Sequence, residues 1–282
     1  MNTKWRTMPA VALLSLLSAC SPVSLLNLLV SRAGYHVERD LAYGPNRRQK
    51  LDLYVPDKLP GKAPVILFFY GGSWDSGNKS LYLAFGQAFA SQGIIVAVAD
   101  YRLYPQVRYP AFVEDGAGAF AWVHAHIADR GGDPGRIFLA GHSAGAYIAA
   151  MLAADEHYLR DRGASPGWIR GVIGIAGPYD FLPLKDEKLI EIFGGADRPQ
   201  TQPVTYIDGL RPPMLLATGL GDTTVLPRNT ERFAAKLRLF HSEVEERYYQ
   251  GVGHIGIILS LAQDFRGRTS LHQDMLAFIR AH

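Results

Sequence analysis

Short apolar runs alternate along this chain with segments that have helical periodicity. Residues 64–70 (PVILFFY) and 93–100 (GIIVAVAD) are almost wholly apolar, and helical patterns follow them at 79–92 and 111–130. A continuous apolar run of this length is typical of a strand that is buried on both faces. The alternation therefore predicts an α/β protein with a mostly parallel central sheet and helices on both of its faces.

Further elements continue this alternation without an internal repeat, which predicts one domain over residues 35–282. The other predicted strands are 49–55, 136–141, 171–176, 213–218 and 243–249, and the other predicted helices are 143–155, 229–240 and 271–281. Residues 181–212 interrupt the pattern with several prolines and the pair Gly194-Gly195. An irregular insertion of this length is usually functional, so the segment is predicted to form a short lid or pocket wall.

The composition excludes several classes of protein. The chain has 29 basic and 26 acidic side chains and no block of five like charges, so nothing indicates a nucleic-acid partner. Its single cysteine, Cys20, cannot form a disulfide within the chain or build a multi-cysteine metal site.

The N-terminus has the features of an export signal. Lys4 and Arg6 precede an apolar run at 9–17, and the tetrapeptide LSAC follows at 17–20. LSAC resembles the bacterial lipobox, in which the cysteine is acylated and becomes the new N-terminus. The resemblance implies a signal peptide over 1–19 and a lipidated tether over 20–34, with the lipid on Cys20. Residue 21 is serine and not aspartate. By the same resemblance, this implies that the protein is attached to the outer membrane of a bacterial cell envelope, on its periplasmic side.

Two other interpretations of the N-terminus remain open. Residues 9–30 are apolar enough to form an uncleaved anchor of about 20 residues, the length that a bilayer requires. An ordinary cleaved signal would instead release a soluble protein. A lipid on Cys20 would hold the protein at the membrane surface without a spanning helix.

One serine lies between a predicted strand and a predicted helix. The pentapeptide GHSAG at 141–145 directly follows the apolar residues RIFLA and opens an alanine-rich helix. In this context G-x-S-x-G forms a nucleophile elbow, in which a sharp turn exposes the serine hydroxyl. Ser143 is therefore the predicted nucleophile.

A serine nucleophile requires hydrogen-bond donors for the negative oxygen that forms on attack. The loop 70–74 (YGGSW) follows the strand 64–70, and we call it the oxyanion loop. The predicted donors are the backbone N–H groups of Gly71, Gly72 and Ala144. Residues 72–80 are also similar to a phosphate-binding loop, but Asn78 separates the glycine from the lysine, so nucleotide binding is not predicted.

Hydrolases with a nucleophile elbow carry the serine, the acid and the histidine in that chain order. Of the histidines after Ser143, His254 lies in a glycine-rich loop directly after a predicted strand, where doubly wound sheets place their sites. His254 is therefore the predicted base. Asp222 follows the preceding strand and is the predicted acid. Asp180, which follows the strand before that, is the alternative acid.

Together these motifs resemble those of the α/β-hydrolase carboxylesterases over essentially all of residues 37–282. In the hormone-sensitive-lipase group the oxyanion loop begins His-Gly-Gly-Gly, whereas this chain has Tyr70 first and Ser73 fourth. Residues 100–103 (DYRL) and 132–134 (GDP) support the likeness. The chain is similar to the feruloyl-esterase, kynurenine-formamidase and prenylcysteine-methylesterase branches of the fold.

The resemblance implies a serine carboxylesterase that hydrolyses small-molecule esters of small or aromatic acyl groups through an acyl-enzyme on Ser143. This chemistry requires no cofactor and no metal, and His124 and His126 would face different ways on a helix. An amide hydrolase, such as an aryl formamidase or a peptidase, is an alternative. A non-catalytic binding protein of the same fold is another.

Aromatic side chains near these motifs are candidates for the walls of a substrate pocket. They are Trp74, Tyr101, Tyr147, Tyr179, Phe193 and Tyr206. Each is also a candidate for the core, since large aromatic side chains are mostly buried. As a group they indicate an apolar or aromatic acyl site.

Lipidation of Cys20 can be tested directly. Mass spectrometry of the mature protein should find an N-terminus at Cys20 that carries the mass of attached lipid, and Cys20→Ser should abolish that modification. An unmodified Cys20, or a chain that still begins at residue 1, would contradict the expectation.

Overall fold

The computed structural model describes residues 30–282. This part of the chain forms an eight-stranded sheet with strand order β1-β2-β4-β3-β5-β6-β7-β8. β1 pairs antiparallel with β2, and β2 pairs antiparallel with β4. Every other neighbouring pair in the sheet is parallel. The prediction of a mostly parallel sheet is therefore confirmed.

Helices alternate with the strands from β3 onwards. The strands are β1 (Tyr35–Ala42), β2 (Lys50–Pro56), β3 (Ala63–Phe69), β4 (Ile95–Ala99), β5 (Gly132–His142), β6 (Ile169–Ile175), β7 (Met214–Gly219) and β8 (Val244–Tyr249). The α-helices are α1 (Leu83–Ala90), α2 (Ala111–His126), α3 (Ala144–Ala154), α4 (His157–Arg160), α5 (Glu187–Phe193), α6 (Arg228–Leu239), α7 (His254–Leu259) and α8 (Leu271–Ala281).

Two adjacent phenylalanines of β3 show that helices cover both faces of the sheet. Successive side chains of a strand point to opposite faces. The Phe68 ring stacks on Phe85 of α1 with centroids 3.8 Å apart. Phe69 lies on the other face, where it packs near Gly116 of α2. The sheet is therefore a buried layer between helices, as its apolar strands predict.

The structure differs from the sequence predictions at β5 and at β1. The sequence predicts this strand only from residue 136, but β5 begins at Gly132, which pairs with Ala63. Gly132 fits there because a Cβ would lie 2.4 Å from Ile127. β1 was not predicted, since its half-exposed residues lack the continuous apolar run of a central strand.

A buried ion pair attaches the antiparallel edge to the rest of the domain. Lys79 Nζ lies 2.7 Å from the fully buried Asp52 of β2 and 2.9 Å from Asp40 of β1. Lys79 is the lysine of the sequence that resembles a phosphate-binding loop. Its ammonium group is already neutralised by two carboxylates, which agrees with the absence of a predicted nucleotide site.

Residues 181–212 form the irregular segment that the sequence indicates. Besides α5, the segment contains two short 3-10 helices, Pro199–Thr201 and Pro203–Tyr206. A backbone hydrogen bond of 2.9 Å from Tyr109 to Ile192 and an ion pair of 2.8 Å between Lys188 and Asp75 hold it against the domain. We call this segment the lid.

The predicted signal peptide, Cys20 and most of the predicted tether lie outside the described residues. Within residues 30–282, none of the helices is both long and apolar enough to cross a membrane.

The contact between α3 and β3 gives a stability prediction. A Cβ on Gly145 would lie 1.9 Å from the carbonyl oxygen of Phe69, which is backbone and cannot move aside cheaply. Gly145→Ala should therefore lower the free energy of unfolding by about 3 kcal/mol, as measured by urea denaturation.

Gly61→Ala is the matched control, because a Cβ at Gly61 meets nothing within 4 Å. Equal stability of the two variants would contradict the close approach of α3 to the sheet.

Candidate active site

Ser143 occupies a strained turn between β5 and α3. Its backbone has φ 54° and ψ −122°, a conformation that costs a non-glycine residue free energy. The turn is possible because Gly141 and Gly145 pass close together, and a Cβ on Gly141 would lie 2.3 Å from the Gly145 carbonyl. The strand, turn and helix that the sequence predicts are therefore present.

Three side chains that the sequence predicts to act together form one hydrogen-bonded chain. His254 Nε2 lies 2.8 Å from Ser143 Oγ, and His254 Nδ1 lies 2.7 Å from Asp222 Oδ2. Asp222 and Ser143 are buried, and the His254 side chain is 10% exposed. The serine and the imidazole are thus slightly more accessible than the carboxylate.

The surroundings of Asp222 favour its charged form. Burial raises the pKa of the Asp222 carboxyl. The hydrogen bond to His254 and the backbone N–H groups of Val225 and Thr224 together lower this pKa by more than burial raises it, so the net shift is downward. Both N–H groups donate to Oδ1 at 2.9 Å, which leaves Oδ2 for the imidazole. Asp222 is therefore a carboxylate at neutral pH.

His254 is the first residue of α7, whereas the sequence predicted that it lies in a glycine-rich loop. His142, the second residue of GHSAG, holds this position: its Nε2 lies 2.9 Å from the His254 carbonyl oxygen and donates to it. Burial and the charge of His254 lower the pKa of His142 to about 3, so it is neutral. Sequence reasoning assigned no role to His142.

The alternative acid, Asp180, lies elsewhere. Its Oδ2 pairs with Arg232 of α6 at 3.0 Å. Its backbone N–H donates to Asn229 Oδ1, also at 3.0 Å. The structure thus brings Asp222, and not Asp180, to His254.

The oxyanion loop has three successive residues with positive φ. The values are 132° at Gly72, 48° at Ser73 and 60° at Trp74. Gly72 is required, because a Cβ there would lie 2.3 Å from the Ser76 carbonyl oxygen. At the start of the loop, burial raises the pKa of Tyr82 to about 12, while a hydrogen bond from the Gly71 backbone lowers it.

Tyr70 is fixed by a network that the sequence did not reveal. Its hydroxyl donates to Asp100 Oδ1 at 2.8 Å and accepts from Arg48 Nη2 at 2.6 Å. The same Nη2 donates to the Gly77 carbonyl at 2.9 Å, and Arg48 Nε donates to the Tyr101 carbonyl at 2.8 Å. Arg48 therefore ties both sides of the oxyanion loop to the turn between β1 and β2.

A cavity of about 350 Å³ opens beside Ser143. Its walls come from Ser73 and Trp74 of the oxyanion loop, from the lid, and from residues 223–229 after Asp222. A second cavity, of about 80 Å³, is mostly apolar and is lined by His142, by residues of α1, and by Ile255 and Ile258 of α7.

Comparison with known proteins places this site in a family. The sequence pattern of the BD-FAE family matches residues 51–237, well over half of the chain. The chain belongs to the BD-FAE family. Ser143 and Asp222 lie inside the matched range, and His254 lies beyond it.

Relatives of this BD-FAE member are esterases by name. Isoprenylcysteine alpha-carbonyl methylesterase of Arabidopsis thaliana is 31% identical over 268 residues, which are 87% of this chain and 62% of that protein. Esterase LipC of Mycobacterium tuberculosis is 28% identical over 241 residues, 78% of this chain and 60% of that protein. The chain spans between half and about two thirds of the length of the first curated relatives it matches.

A solved structure supports the fold. Esterase B from Lactobacillus rhamnosis superposes with a TM-score of 0.78 at 19% identity, covering 96% of this chain and 93% of that chain. The sheet topology and this likeness together establish the α/β-hydrolase fold that the sequence predicts.

Among the predicted substrate-site aromatics, Trp74 lines the large cavity of this BD-FAE member. Phe193 of α5 packs edge-on against Trp74, with ring centroids 4.8 Å apart, and so supports the wall from behind. Trp74 thus connects the oxyanion loop to the lid.

The other four predicted aromatics do not line this cavity. Tyr101 and Tyr147 are fully buried, and their hydroxyls donate to the carbonyls of Tyr70 and Thr201. Tyr179 is fully buried and stacks on a ring of α6. Tyr206 lines a different cavity, beside Asp155. Tyr101, Tyr147 and Tyr179 thus fill the core, and Tyr206 lies elsewhere on the protein, so the structure places none of these four residues at the cavity beside Ser143.

Removal of Arg48 tests how the oxyanion loop is held. Arg48→Met leaves the buried Tyr70 hydroxyl and the Gly77 carbonyl without their donor, so we expect the free energy of unfolding to fall by about 1–3 kcal/mol. Urea denaturation measures the change.

Arg47→Met is the control, since it removes the same charge from the adjacent, exposed position. If the two variants were equally stable, Arg48 would not hold the loop.

Proposed function

We propose that this protein is a serine carboxylesterase that hydrolyses esters of small or aromatic acyl groups through an acyl-enzyme on Ser143. The observation that carries the proposal is the chain of contacts Asp222–His254–Ser143 at the edge of a cavity large enough for a small ester. The esterase names of the relatives support the same reaction class.

In the proposed reaction, Ser143 Oγ attacks the ester carbonyl carbon while His254 Nε2 accepts the hydroxyl proton. Asp222 accepts a hydrogen bond from His254 Nδ1–H, which holds the imidazole in the required tautomer and stabilises the imidazolium that forms. Collapse of the tetrahedral intermediate breaks the bond to the alcohol oxygen. His254 returns its proton to that oxygen, and the alcohol leaves.

Deacylation repeats these steps with water as the nucleophile. His254 takes a proton from the water as it attacks the acyl carbonyl, and the proton passes to Ser143 Oγ when the acyl–oxygen bond breaks. The products are the carboxylic acid and the free serine, so the cycle is balanced without a cofactor.

Backbone amides stabilise the oxyanion in this proposal. Ala144 is the first residue of α3, where the N–H has no partner within its own helix and the helix dipole is positive. Gly72 supplies a second donor from the oxyanion loop. The Gly71 N–H is the third proposed donor, from the same loop.

The lid and the oxyanion loop limit the acyl group in size and polarity. Trp74, Phe181, Leu184 and Leu189 supply apolar wall to the 350 Å³ cavity. A short aliphatic chain or a single aromatic ring buries its apolar surface against such walls.

A fluorophosphonate probe tests the nucleophile. The wild-type protein should be labelled at Ser143, and Ser143→Ala should lose both the label and the hydrolysis of 4-nitrophenyl butyrate. Removal of one member of such a catalytic chain lowers kcat by about 10⁴-fold or more.

Ser73→Ala is the matched control, because it removes a hydroxyl from a residue that lines the same cavity and leaves Ser143 unchanged. Labelling that survives Ser143→Ala would overturn the assignment of the nucleophile. Hydrolysis of formyl-kynurenine or aminoacyl anilides in strong preference to esters would replace the esterase proposal with an amide hydrolase.

A further inference from the structure

The charged side chains that line the cavity beside Ser143 are all positive. Lys185 of the lid and Arg228 of α6 both line it, and in the part of the chain that the structure describes no acidic side chain does. Its polar lining is otherwise neutral and includes Thr223 and Thr224. A cleft lined by charge of one sign concentrates ligands of the opposite sign and raises their rate of association.

These two cations are unpaired, whereas their neighbours are paired. Lys188 pairs with Asp75 at 2.8 Å, and Arg232 pairs with Asp180 at 3.0 Å. Over residues 30–282, neither Lys185 nor Arg228 has an ion-pair or hydrogen-bond partner for its side chain. Both are exposed, so both are free to turn towards a ligand in the cavity.

The acidic residues beside Lys185 in sequence do not line the cavity. Asp186 caps α5, where its Oδ1 accepts from the Leu189 N–H at 2.9 Å. Glu187 is exposed on the first turn of α5. The positive charge at the cavity is therefore not cancelled by a carboxylate in its wall.

The chemistry of the two cations indicates which ligands suit them. Ligands that match a pair of cations are anions rich in acceptor oxygens. A carboxylate has two such oxygens and can accept a bidentate pair of hydrogen bonds from an arginine.

We propose that the physiological substrate is an anionic ester, whose carboxylate is bound by Lys185 and Arg228 at the mouth of the cavity. The proposal rests on the esterase function proposed above and narrows its substrate class. The cationic residues belong to the lid and to α6, so they select the substrate without taking part in bond breaking.

Two pairs of substrates locate the carboxylate within the ester. For the acyl side, the mono-4-nitrophenyl ester of adipic acid is compared with the 4-nitrophenyl ester of adipic acid monoamide, in which a neutral amide replaces the free carboxylate. For the alcohol side, 4-acetoxybenzoate is compared with 4-acetoxybenzamide. The measured quantity is the ratio of kcat/KM for the anionic ester to kcat/KM for its neutral partner.

The double variant Lys185→Gln, Arg228→Gln should lower this ratio by about tenfold on one of the two sides, since each exposed charge contributes modestly. The kcat/KM for the neutral partner should change much less than that for the anionic ester, because the neutral partner has no charge for the cations to bind. For the wild-type protein, 0.5 M NaCl should lower the same ratio, because salt screens exposed charges.

Lys58→Gln, Lys62→Gln is the matched control, since it removes the same charge from two exposed lysines that do not line the cavity. An unchanged ratio in the Lys185 and Arg228 double variant on both sides would overturn the anionic-ester proposal. So would an equal loss in the control variant. In both of these cases the protein would still hydrolyse neutral esters. If the esterase proposal itself were wrong, the wild-type protein would hydrolyse neither the anionic nor the neutral esters.

Discussion

The close approach of α3 to the sheet is the constraint on which the site depends. Gly141 and Gly145 have no side chains, so the end of β5, the start of α3 and the carbonyl of Phe69 lie almost in contact. The connection between β5 and α3 is then so short that Ser143 takes a strained conformation. The packing of the whole domain pays for that strain, and the serine hydroxyl is presented at a fixed point above the carboxyl ends of the strands.

Around Ser143, the contacts that fix Asp222 and His254 leave free the atoms that form the hydrogen-bonded chain to the serine. Two backbone amides bind one oxygen of Asp222 and leave the other for His254. His142 binds the His254 carbonyl, so the backbone is held while both ring nitrogens remain available. The oxyanion loop is held through Tyr70 and Gly77 by one arginine. Such preorganisation reduces the rearrangement that a reaction would otherwise require.

The sequence predicted the parts of this arrangement that depend on local patterns. Three features depend on near neighbours in the chain: the apolar runs that form strands, the G-x-S-x-G turn, and the positions of Asp222 and His254 after strands. The structure has these features where the sequence predicts them. Arg48 and His142 act through contacts across 22 and 112 positions of sequence, which no local pattern shows. The aromatic residues were misassigned for a related reason: a buried ring and a pocket ring look alike until the packing is known.

The arginine that holds the oxyanion loop also has a consequence for how the site assembles. The pattern shared with the BD-FAE family spans residues 51–237, so it contains Ser143 and Asp222 but neither Arg48 nor His254. The central segment therefore carries the proposed nucleophile and the proposed acid, while the proposed base and Arg48, which holds the oxyanion loop, come from opposite flanks. During synthesis on the ribosome, the residues of the strand–turn–helix around Ser143 emerge about 110 positions before His254 does. Ser143 therefore lacks its contact with His254 until the later part of the chain folds onto the sheet.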